Sequence, residues 1–274
     1  MARIIIAAHR EAELPEDPVY LPVLVGAALH TEEEVLPPYE RDDSGDQISE
    51  KNPLYCELTG LYYAWKNLRE ETLGMVHYRR YFAGKKTKHS REGKEGDGFS
   101  RVLTGAELDE ILADHDIILP KKQNYVIESI YSHYAHTHDA EHLDLTRQII
   151  AEGYPEYLAS FDRVMKRRSA HMFNMTVMKE PYLSAYCTWL FDILAELEER
   201  FSLLEESAFQ RRYVGRVGEI LINVWLDEML QSGRLGEERI AVLPVIFYGK
   251  VNWVKKGSAF LQAKFLHKRY EESF

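Results

Sequence analysis

Two adjacent arginines stand in an aromatic segment, Gly74–Phe82, with the sequence Gly-Met-Val-His-Tyr-Arg-Arg-Tyr-Phe. Arginine binds phosphate oxygens through its forked donors and also stacks on aromatic rings. If the segment is one strand, its side chains alternate between two faces, with His77 and Arg79 on one and Tyr78, Arg80 and Phe82 on the other. The segment predicts a diphosphate cradle at a strand end. The alternative is an arginine pair neutralised by internal carboxylates such as Glu57 or Glu219.

A polar turn, Asp43–Asn52, precedes the strongest helix signal in the chain. Asn52 is a favoured cap residue, and Pro53 is a favoured first helical residue. Taken alone, the turn predicts only a helix start. The helix behind it places Glu57 and Thr59 near any ligand that the turn holds.

Four histidines fall within ten residues in the segment His133–His142. Imidazoles and carboxylates at this spacing can bind zinc, so a metal site is one interpretation. A loop that binds substrate hydroxyl groups and a plain polar surface are the others. The segment precedes a predicted helix, for which Thr137 or Asp139 is a candidate N-cap.

The triplet Asp114-His115-Asp116 matches the short Asp-x-Asp pattern that holds a divalent ion in many glycosyltransferases. Such a pair is expected at the exit of a strand, where side chains reach the ligand crevice. Here it precedes the apolar run Ile117–Leu119. We therefore interpret Asp116 as a corner between a helix and a strand.

The remaining pattern alternates strands with helices, which predicts an α/β fold. Ile4–Ala8 is a continuous apolar run typical of a strand buried on both faces. The further predicted elements are a helix from Asn52 to Leu68, a strand from Leu73, helices over 104–114, 140–152, 155–166, 181–201 and 218–230, and strands over 117–119, 172–178 and 240–247.

Composition excludes several classes of protein. The chain has 274 residues, 45% of them hydrophobic, and a net charge of -10, which argues against general nucleic-acid binding. No segment approaches eighteen consecutive apolar residues, so we expect no membrane span and a cytoplasmic location. Cys56 and Cys187 show no metal-ligand spacing and are expected to be reduced, partly buried thiols.

Several segments together resemble a family from bacterial capsular and exopolysaccharide gene clusters, long classed as a domain of unknown function and now grouped with glycosyltransferases. The most specific are Tyr-Cys-Glu-Leu-Thr at 55–59 and His-Tyr-Arg-Arg-Tyr-Phe at 77–82. The chain departs from the family pattern with Arg10, where a lysine is expected, and Ile220, where an arginine is expected. The other matching segments are the strand ending at His9 and residues 20–26, 43–52, 60–67, 154–155, 172–175, 186–191 and 218–219.

The resemblance implies an α/β, GT-A-like single domain over 1–274, with a mixed, mostly parallel central sheet flanked by helices. Residues 1–120 are expected to form the nucleotide-sugar-binding half, 121–249 the acceptor half and 250–274 a basic aromatic tail. The implied reaction moves a hexosyl unit, galactose or galactofuranose, from a UDP-sugar to a growing capsular, exopolysaccharide or O-antigen glycan. No cofactor is expected, and a divalent metal is not favoured.

For this reaction we expect the following roles for individual residues. Arg79 and Arg80 hold the diphosphate with His77 assisting, and Asp43 and Asp46 hold the base or ribose. Glu219 or Asp139 positions or deprotonates the acceptor hydroxyl. The other predicted donor-binding residues are His9, Ser49, Asn52, Glu57 and Thr59, and the predicted acceptor-binding residues are His136, His138 and Asn174.

Two further functions stay open at this level. One is a metal-dependent transferase that uses Asp114 and Asp116, or the His133–His142 segment. The other is a non-catalytic module that binds sugar nucleotides or scaffolds an assembly complex. The basic tail, 250–274, is compatible with peripheral contact to the inner face of a membrane or with a final helix packed on the domain.

Overall fold

The computed structural model describes residues 2–30, 39–85, 99–201 and 210–248. The chain divides into two compact units. Unit 1 is drawn from Met1–Lys121, Phe173–Cys187 and Leu235–Gly249, and the described part of unit 2 from Lys122–Met172 and Thr188–Arg234. The basic tail falls outside the described residues, so its predicted role stays a prediction.

The helices and strands follow one another along the chain in an order that alternates the two types. They are β1 Ala2–Ala8, β2 Tyr20–Leu24, β3 Glu40–Arg41, α1 Asn52–Tyr55, α2 Leu58–Asn67, β4 Thr72–His77, β5 Arg80–Phe82, α3 Gly105–Asp114, β6 Ile117–Pro120, β7 Gln123–Asn124, α4 Ile130–Thr137, α5 Glu141–Gly153, α6 Leu158–Met165, β8 Ser169–Ala170, β9 Thr176–Lys179, α7 Tyr182–Arg200, α8 Tyr213–Gln231, β10 Ile240–Leu243 and β11 Val245–Phe247.

Unit 1 is built on a mixed sheet with the strand order β10-β6-β9-β4-β1-β2-β3, to which β5 and β11 add a branch beside β4. β10 pairs with β6, and β4, β1, β2 and β3 pair with one another, in parallel. β9 is antiparallel to both of its neighbours, and β5 is antiparallel to β4 and β11. The predicted mixed α/β fold with a central sheet flanked by helices is confirmed.

β1 is buried on both faces, as its apolar run predicts. Ile4 and Ile6 lie in the same apolar cluster as Leu108 of α3. On the other face, α2 packs on β1 so closely that a Cβ on Gly60 would lie 3.4 Å from the Ile5 side chain. This strand therefore fixes the positions of helices on both sides of the sheet.

The predicted helix from Asn52 to Leu68 is wrong in one respect, because the chain breaks it in two. Cys56 has φ 55° and ends α1, and α2 begins at Leu58. The side-chain amide of Asn52 donates to the carbonyl of Cys56 at 2.8 Å. Asn52 is therefore not the N-cap; it is the first residue of α1, and it binds the backbone at the break.

The strand predicted from Leu73 is confirmed as β4, but the condition of one strand through Gly74–Phe82 does not hold. β4 ends at His77, the chain turns at Tyr78 and Arg79, and Arg80 pairs with His77 across the turn. The tertiary reason is that β5 pairs with β11, with Phe247 opposite Arg80. The expected sharing of one face by His77 and Arg79 is thus replaced by an arrangement in which Arg79 lies on the turn.

Three later elements differ at their ends from the prediction. The strand expected over 172–178 begins only at Thr176, after Phe173 and Asn174 adopt positive φ values of 77° and 51°. The strand expected over 240–247 is two strands, because Pro244 separates β10 from β11. The helix expected from 218 begins earlier, at Tyr213.

The carboxylate of Asp42 organises the loop that follows β2. It is fully buried and accepts hydrogen bonds from the backbone N–H groups of Gly26 at 3.0 Å and Ala27 at 2.9 Å, and from the hydroxyl of Ser49. Gly26 has φ 72° and touches Asn52, so the loop needs a glycine there. Asp42 therefore connects the end of β2 to the turn before α1.

Asp116 occupies the predicted corner between α3 and β6. Its carboxylate accepts two hydrogen bonds from Arg239, at 2.8 and 2.6 Å, and one from Lys179 at 3.1 Å. Hydrogen bonds from Arg239 hold the pKa of Asp116 below its usual value. The carboxylate therefore joins the strands β6, β9 and β10 near their ends.

Unit 2 is mainly helical, with α5, α6 and α8 in mutual contact and α4 against α6. Its buried side chains include Phe161, Leu221 and Trp225, and a short ribbon of β7 and β8 lies beside them. The carboxylate of Asp227, 3% exposed, accepts hydrogen bonds from Arg163 and Arg167. These contacts link α6 to α8.

Cys56 and Cys187 are both buried, and neither is in a disulfide, as expected for free thiols. Burial raises the pKa of the Cys187 thiol. Among the helices of the described residues, none combines the length and the apolar run that a membrane crossing requires.

Asp42→Ala is expected to lower the free energy of unfolding by about 2–5 kcal/mol, because two buried backbone donors lose their acceptor. Asp43→Ala serves as the control, since that carboxylate pairs with the partly exposed Arg41. Urea unfolding measures both changes. Equal small losses in the two variants would contradict the role given to Asp42.

Asp116→Asn is expected to cost about 1–3 kcal/mol at pH 7, because Arg239 and Lys179 lose a charged acceptor. The folded-state pKa of Asp116 is lowered, so its contribution is present above the unfolded-state pKa and is lost as the pH falls below about 4. The difference between wild type and variant should therefore shrink in acid. The exposed Asp114→Asn is the control, expected within about 0.5 kcal/mol of wild type. Urea unfolding at pH 7 and in acid checks both, and a pH-independent difference would oppose this account.

Candidate active site

The parallel pairing of β1 and β4 brings two chain segments out of the sheet at one edge. Ala7 lies opposite His77, so His9 and Arg10 leave β1 beside Tyr78 and Arg79. The carboxyl ends of parallel strands are where α/β proteins bind ligands.

The ring of Tyr78 is the centre of the group, which we call the arginine cluster: His9, Arg10, Tyr78 and Arg79. The ring is 8% exposed. The guanidinium carbons of Arg79 and Arg10 lie 4.9 and 5.4 Å from its centroid, and the His9 ring meets it edge-on at 5.2 Å. Two cations thus share one aromatic platform.

The arginine cluster holds donors that the protein leaves unused. In the part of the chain that the structure describes, Arg79 Nε and the Tyr78 hydroxyl are buried without a hydrogen-bond partner. Within the same residues neither Arg10 nor Arg79 pairs with a carboxylate, so the alternative of neutralisation by Glu57 or Glu219 does not hold for Arg79. A buried donor of this kind needs an acceptor, and two guanidinium groups favour an anionic one.

A second group of predicted residues converges beside the turn. The His77 ring nitrogen Nε2 hydrogen-bonds the carbonyl of Phe173, and the guanidinium of Arg80 lies 4.8 Å from the Phe173 ring. The side-chain amide of Asn174 donates to Glu57 at 2.8 Å. The positive φ values of Phe173 and Asn174 are unusual for such residues and direct both towards this group. Asn174, predicted for the acceptor, therefore lies in unit 1 with the donor candidates.

The predicted donor residues of the polar turn have internal partners. Arg41 donates to Asp43 at 3.0 Å, which holds the pKa of Asp43 below its usual value. Asp46 accepts from the hydroxyl of Tyr62 at 3.0 Å. Ser49 donates to Asp42, and its hydroxyl accepts from a backbone N–H at 3.0 Å.

Asn52 and Thr59 also bond each other at 3.2 Å, and Thr59 is fully buried. These residues hold the backbone between β2 and α2, and their predicted ligand contacts stay predictions.

In unit 2, the four clustered histidines separate into two pairs. The carboxylate of Glu128, 5% exposed, binds Nδ1 of His133 and Nδ1 of His136, each at 2.9 Å. Burial raises the pKa of Glu128, but hydrogen bonds from the two histidines outweigh it and lower the pKa overall. When the Nδ1 atom of a neutral His136 donates to Glu128, its Nε2 atom is an acceptor.

Tyr125 links this pair to Glu219. Its ring stacks on His133 with centroids 4.2 Å apart. Burial, together with the negative charge of Glu219, raises the pKa of the Tyr125 hydroxyl. Two predicted residues, Glu219 and His136, are therefore connected through Tyr125, and we call the group of Tyr125, Glu128, His133, His136 and Glu219 the Tyr125 cluster.

The other two histidines are packed among aromatic rings. His142 is fully buried, stacks on Tyr213 and hydrogen-bonds the hydroxyl of Tyr134 at 3.0 Å. Burial, with the positive charge of Arg216, lowers the pKa of His138 to about 2, so that imidazole is neutral at physiological pH.

Asp139 caps the backbone ahead of α5, where its carboxylate accepts from the N–H of Glu141 at 3.1 Å. Its predicted role, and that of His138, stay predictions.

The residues considered for a metal do not converge as ligands. Across residues 2–30, 39–85, 99–201 and 210–248, no group of three or more His, Cys, Asp or Glu side chains is placed to hold an ion. Asp116 is committed to Arg239 and Lys179, and Glu128 to His133 and His136. The Asp-x-Asp triplet therefore lacks the free carboxylate pair that the metal-dependent alternative needs.

Sequence reasoning gave no site role to Arg10, Tyr78, Tyr125 or Glu128. Arg10 carried a signal, because it is a basic residue directly after the first strand. Glu128 carried no such signal, since it stands outside the histidine-rich segment. Its contacts with His133 and His136 depend on where α4 begins.

Comparisons with known proteins agree with this architecture. A family model described as a domain of unknown function (DUF4422) matches residues 3–230. Curated proteins give no match. The apo structure of WbbM, a bifunctional glycosyltransferase, superposes with a TM-score of 0.82 and 27% sequence identity over 91% of this chain.

The match covers 45% of the WbbM chain, so the present chain spans less than half of that protein. The likeness shows that the mixed α/β fold is one found in a glycosyltransferase. With the family model extending over most of its length, the chain belongs to the DUF4422 family.

Proposed function

We propose that the protein is a glycosyltransferase that moves a hexosyl unit, galactose or galactofuranose, from a UDP-sugar to a growing capsular, exopolysaccharide or O-antigen glycan. The name of the bifunctional glycosyltransferase WbbM supports the general reaction. The resemblance noted from the sequence supports the polysaccharide pathway, and the choice of hexose is part of the proposal.

The observation that carries the proposal is the buried, unused Nε donor of Arg79 at the carboxyl end of β4. A sugar-nucleotide diphosphate offers several anionic oxygens, which match a guanidinium fork. Arg10 adds a second positive charge on the same tyrosine platform. A neutral ligand would leave both charges uncompensated.

In the proposed reaction, the bond between the sugar C1 and the diphosphate oxygen breaks while the acceptor oxygen bonds to C1. Negative charge grows on the departing diphosphate, and preorganised cations there lower the barrier. Arg79 and Arg10 stabilise that charge, with Arg80 and His77 next to them across the turn. They supply the positive charge that a metal ion supplies in other transferases.

Asp43 and Asp46, proposed for the base or ribose, have carboxylate acceptor capacity beyond their bonds to Arg41 and Tyr62. Ser49, Asn52 and Thr59 hold the same turn in shape. Their effect on donor binding is therefore proposed to be positional.

Arg79→Ala is expected to weaken UDP-sugar binding by about 10- to 100-fold, because a charged hydrogen bond of about 1.5–3 kcal/mol is lost. Arg10→Ala should weaken it less, since that guanidinium is exposed. Isothermal titration calorimetry measures both affinities.

The control for this experiment is Arg69→Ala, which removes an exposed arginine from the same unit. Wild-type affinity in Arg79→Ala, with its unfolding temperature unchanged, would sink the diphosphate role. Loss of turnover in excess chelator would contradict the metal-free form of the proposal.

The acceptor hydroxyl must give up its proton as it attacks, and we assign that proton to the carboxylate of Glu219. Glu219 is half-buried beside Tyr125, which stacks on His133. The neighbouring His136 Nε2 is available to orient a sugar hydroxyl, because Glu128 holds its Nδ1.

Glu219→Gln is expected to lower kcat by about 10²- to 10⁴-fold, the usual contribution of a general base. Donor affinity should be unchanged, because the diphosphate residues are untouched. The exposed Glu156→Gln on unit 2 is the matched control. Steady-state kinetics with a direct donor-binding measurement separate the two effects, and a normal kcat in Glu219→Gln would remove the assignment.

A further inference from the structure

A loop between β7 and α4 exposes two aliphatic side chains at its tip. Val126 and Ile127 are 70% and 63% exposed. Val126 adopts φ 60°, a left-handed conformation that is rare for a β-branched residue. The protein thus accepts a strained backbone at the place where it presents apolar surface to solvent.

Hydrogen bonds hold the tip in this conformation. The N–H of Val126 donates to the Asn124 side chain at 2.8 Å, and that of Ile127 to the Tyr125 carbonyl at 2.7 Å. The N–H of Tyr125 donates to the carbonyl of Arg168 at 2.8 Å. The two aliphatic side chains are therefore held outward by a built turn.

Three exposed cations lie on the chain segments that flank this loop or pair with it. Arg168 is bonded to Tyr125 through its backbone, Lys166 lies two residues before it, and Lys122 precedes β7. None of the three forms an ion pair with a carboxylate of the described residues.

Two of the carboxylates near these segments are buried and bonded, a third, Asp162, pairs with Arg147, and a fourth, Glu219, is half-buried beside Tyr125. Glu128 is 5% exposed and bonded to two histidines, and Asp227 is 3% exposed and bonded to Arg163 and Arg167. The exposed charges Lys122, Lys166 and Arg168 are all positive, on a chain whose net charge is -10.

We propose that this apolar tip and its basic collar, Val126, Ile127, Lys122, Lys166 and Arg168, dock the protein on an anionic membrane surface. Aliphatic side chains enter the boundary between headgroups and acyl chains, and lysine and arginine stay at the level of the phosphates. Each basic residue at such a surface strengthens binding about fivefold.

Two aliphatic side chains are too small an area for a stable protein interface, which buries about 800 Å² on each partner. A nucleic acid would use the cations but gain nothing from the exposed aliphatic pair. The combination of charge and apolar surface fits a lipid bilayer best.

Docking at this loop has a consequence for the acceptor, which rests on the proposed function. The loop also carries Tyr125 and Glu128, so the bilayer would lie next to the Tyr125 cluster. A lipid-linked glycan acceptor would then be delivered to Glu219 and His136. Vesicle binding is measured without donor or acceptor, so its failure and that of glycosyl transfer are distinguishable.

The test is co-sedimentation of the full chain with vesicles of phosphatidylglycerol and phosphatidylcholine, or of phosphatidylcholine alone. Wild type should bind the anionic vesicles, and the double variant Val126→Asp/Ile127→Asp should bind them at least about tenfold more weakly. Lys122→Gln/Arg168→Gln should weaken binding as well and make it less sensitive to salt.

The matched control is Leu29→Asp/Val242→Asp, which adds the same charge at two other exposed aliphatic positions, 54% and 50% exposed. It should bind within about twofold of wild type, and the unfolding temperature of each variant shows that it is folded. An equal loss in this control would overturn the proposal. So would wild-type binding by Val126→Asp/Ile127→Asp, or wild-type protein that does not prefer anionic vesicles.

Discussion

The parallel register of β1 with β4 is the constraint on which the proposed donor site depends. Because Ala7 lies opposite His77, the two strands end together and place Arg10 and Arg79 on the ring of Tyr78. The turn after His77 keeps Arg79 at this edge and sends Arg80 back into the sheet through β5. The buried strand, the tight approach of α2 at Gly60 and the Asp42 loop all hold this edge in place. As a result, this edge of the sheet carries the positive charges of Arg10 and Arg79 and the unused Nε donor of Arg79, in a protein whose net charge is negative.

Much of the fold could be predicted from local patterns. The apolar run Ile4–Ala8 gave the central strand, and Thr104 with Glu107 forms the capping box that begins α3. The break at Cys56 and the turn at Tyr78 were missed, because neither sequence contains the glycine or proline that normally marks such a turn. The turn at Tyr78 depends on a tertiary partner, β11, which local propensity does not encode. The break at Cys56 is held by Asn52, only four residues earlier, whose side-chain amide bonds the Cys56 carbonyl where the pattern predicts an N-cap.

The candidate site shows the same limit more sharply. The sequence proposes Arg79, Glu219 and His136 as site residues, but it could not show which imidazoles share a carboxylate, because Glu128 lies outside the histidine-rich segment. The sequence left a metal pair in Asp114 and Asp116 open only as an alternative, because the pair precedes a strand. In the structure Asp116 accepts hydrogen bonds from Arg239 and Lys179. A carboxylate bonded to two cations stabilises the fold. The chemical meaning of a charged residue is set by its partners, which come from distant parts of the chain.

The most direct test of the central claim is a crystal structure of the full chain with uridine diphosphate. We expect a diphosphate oxygen within about 3 Å of Arg79 Nε, the distance of a charged hydrogen bond, with Arg10 on the same phosphate groups. A nucleotide bound with its phosphates away from the arginine cluster, and Arg79 paired with a protein carboxylate, would contradict it.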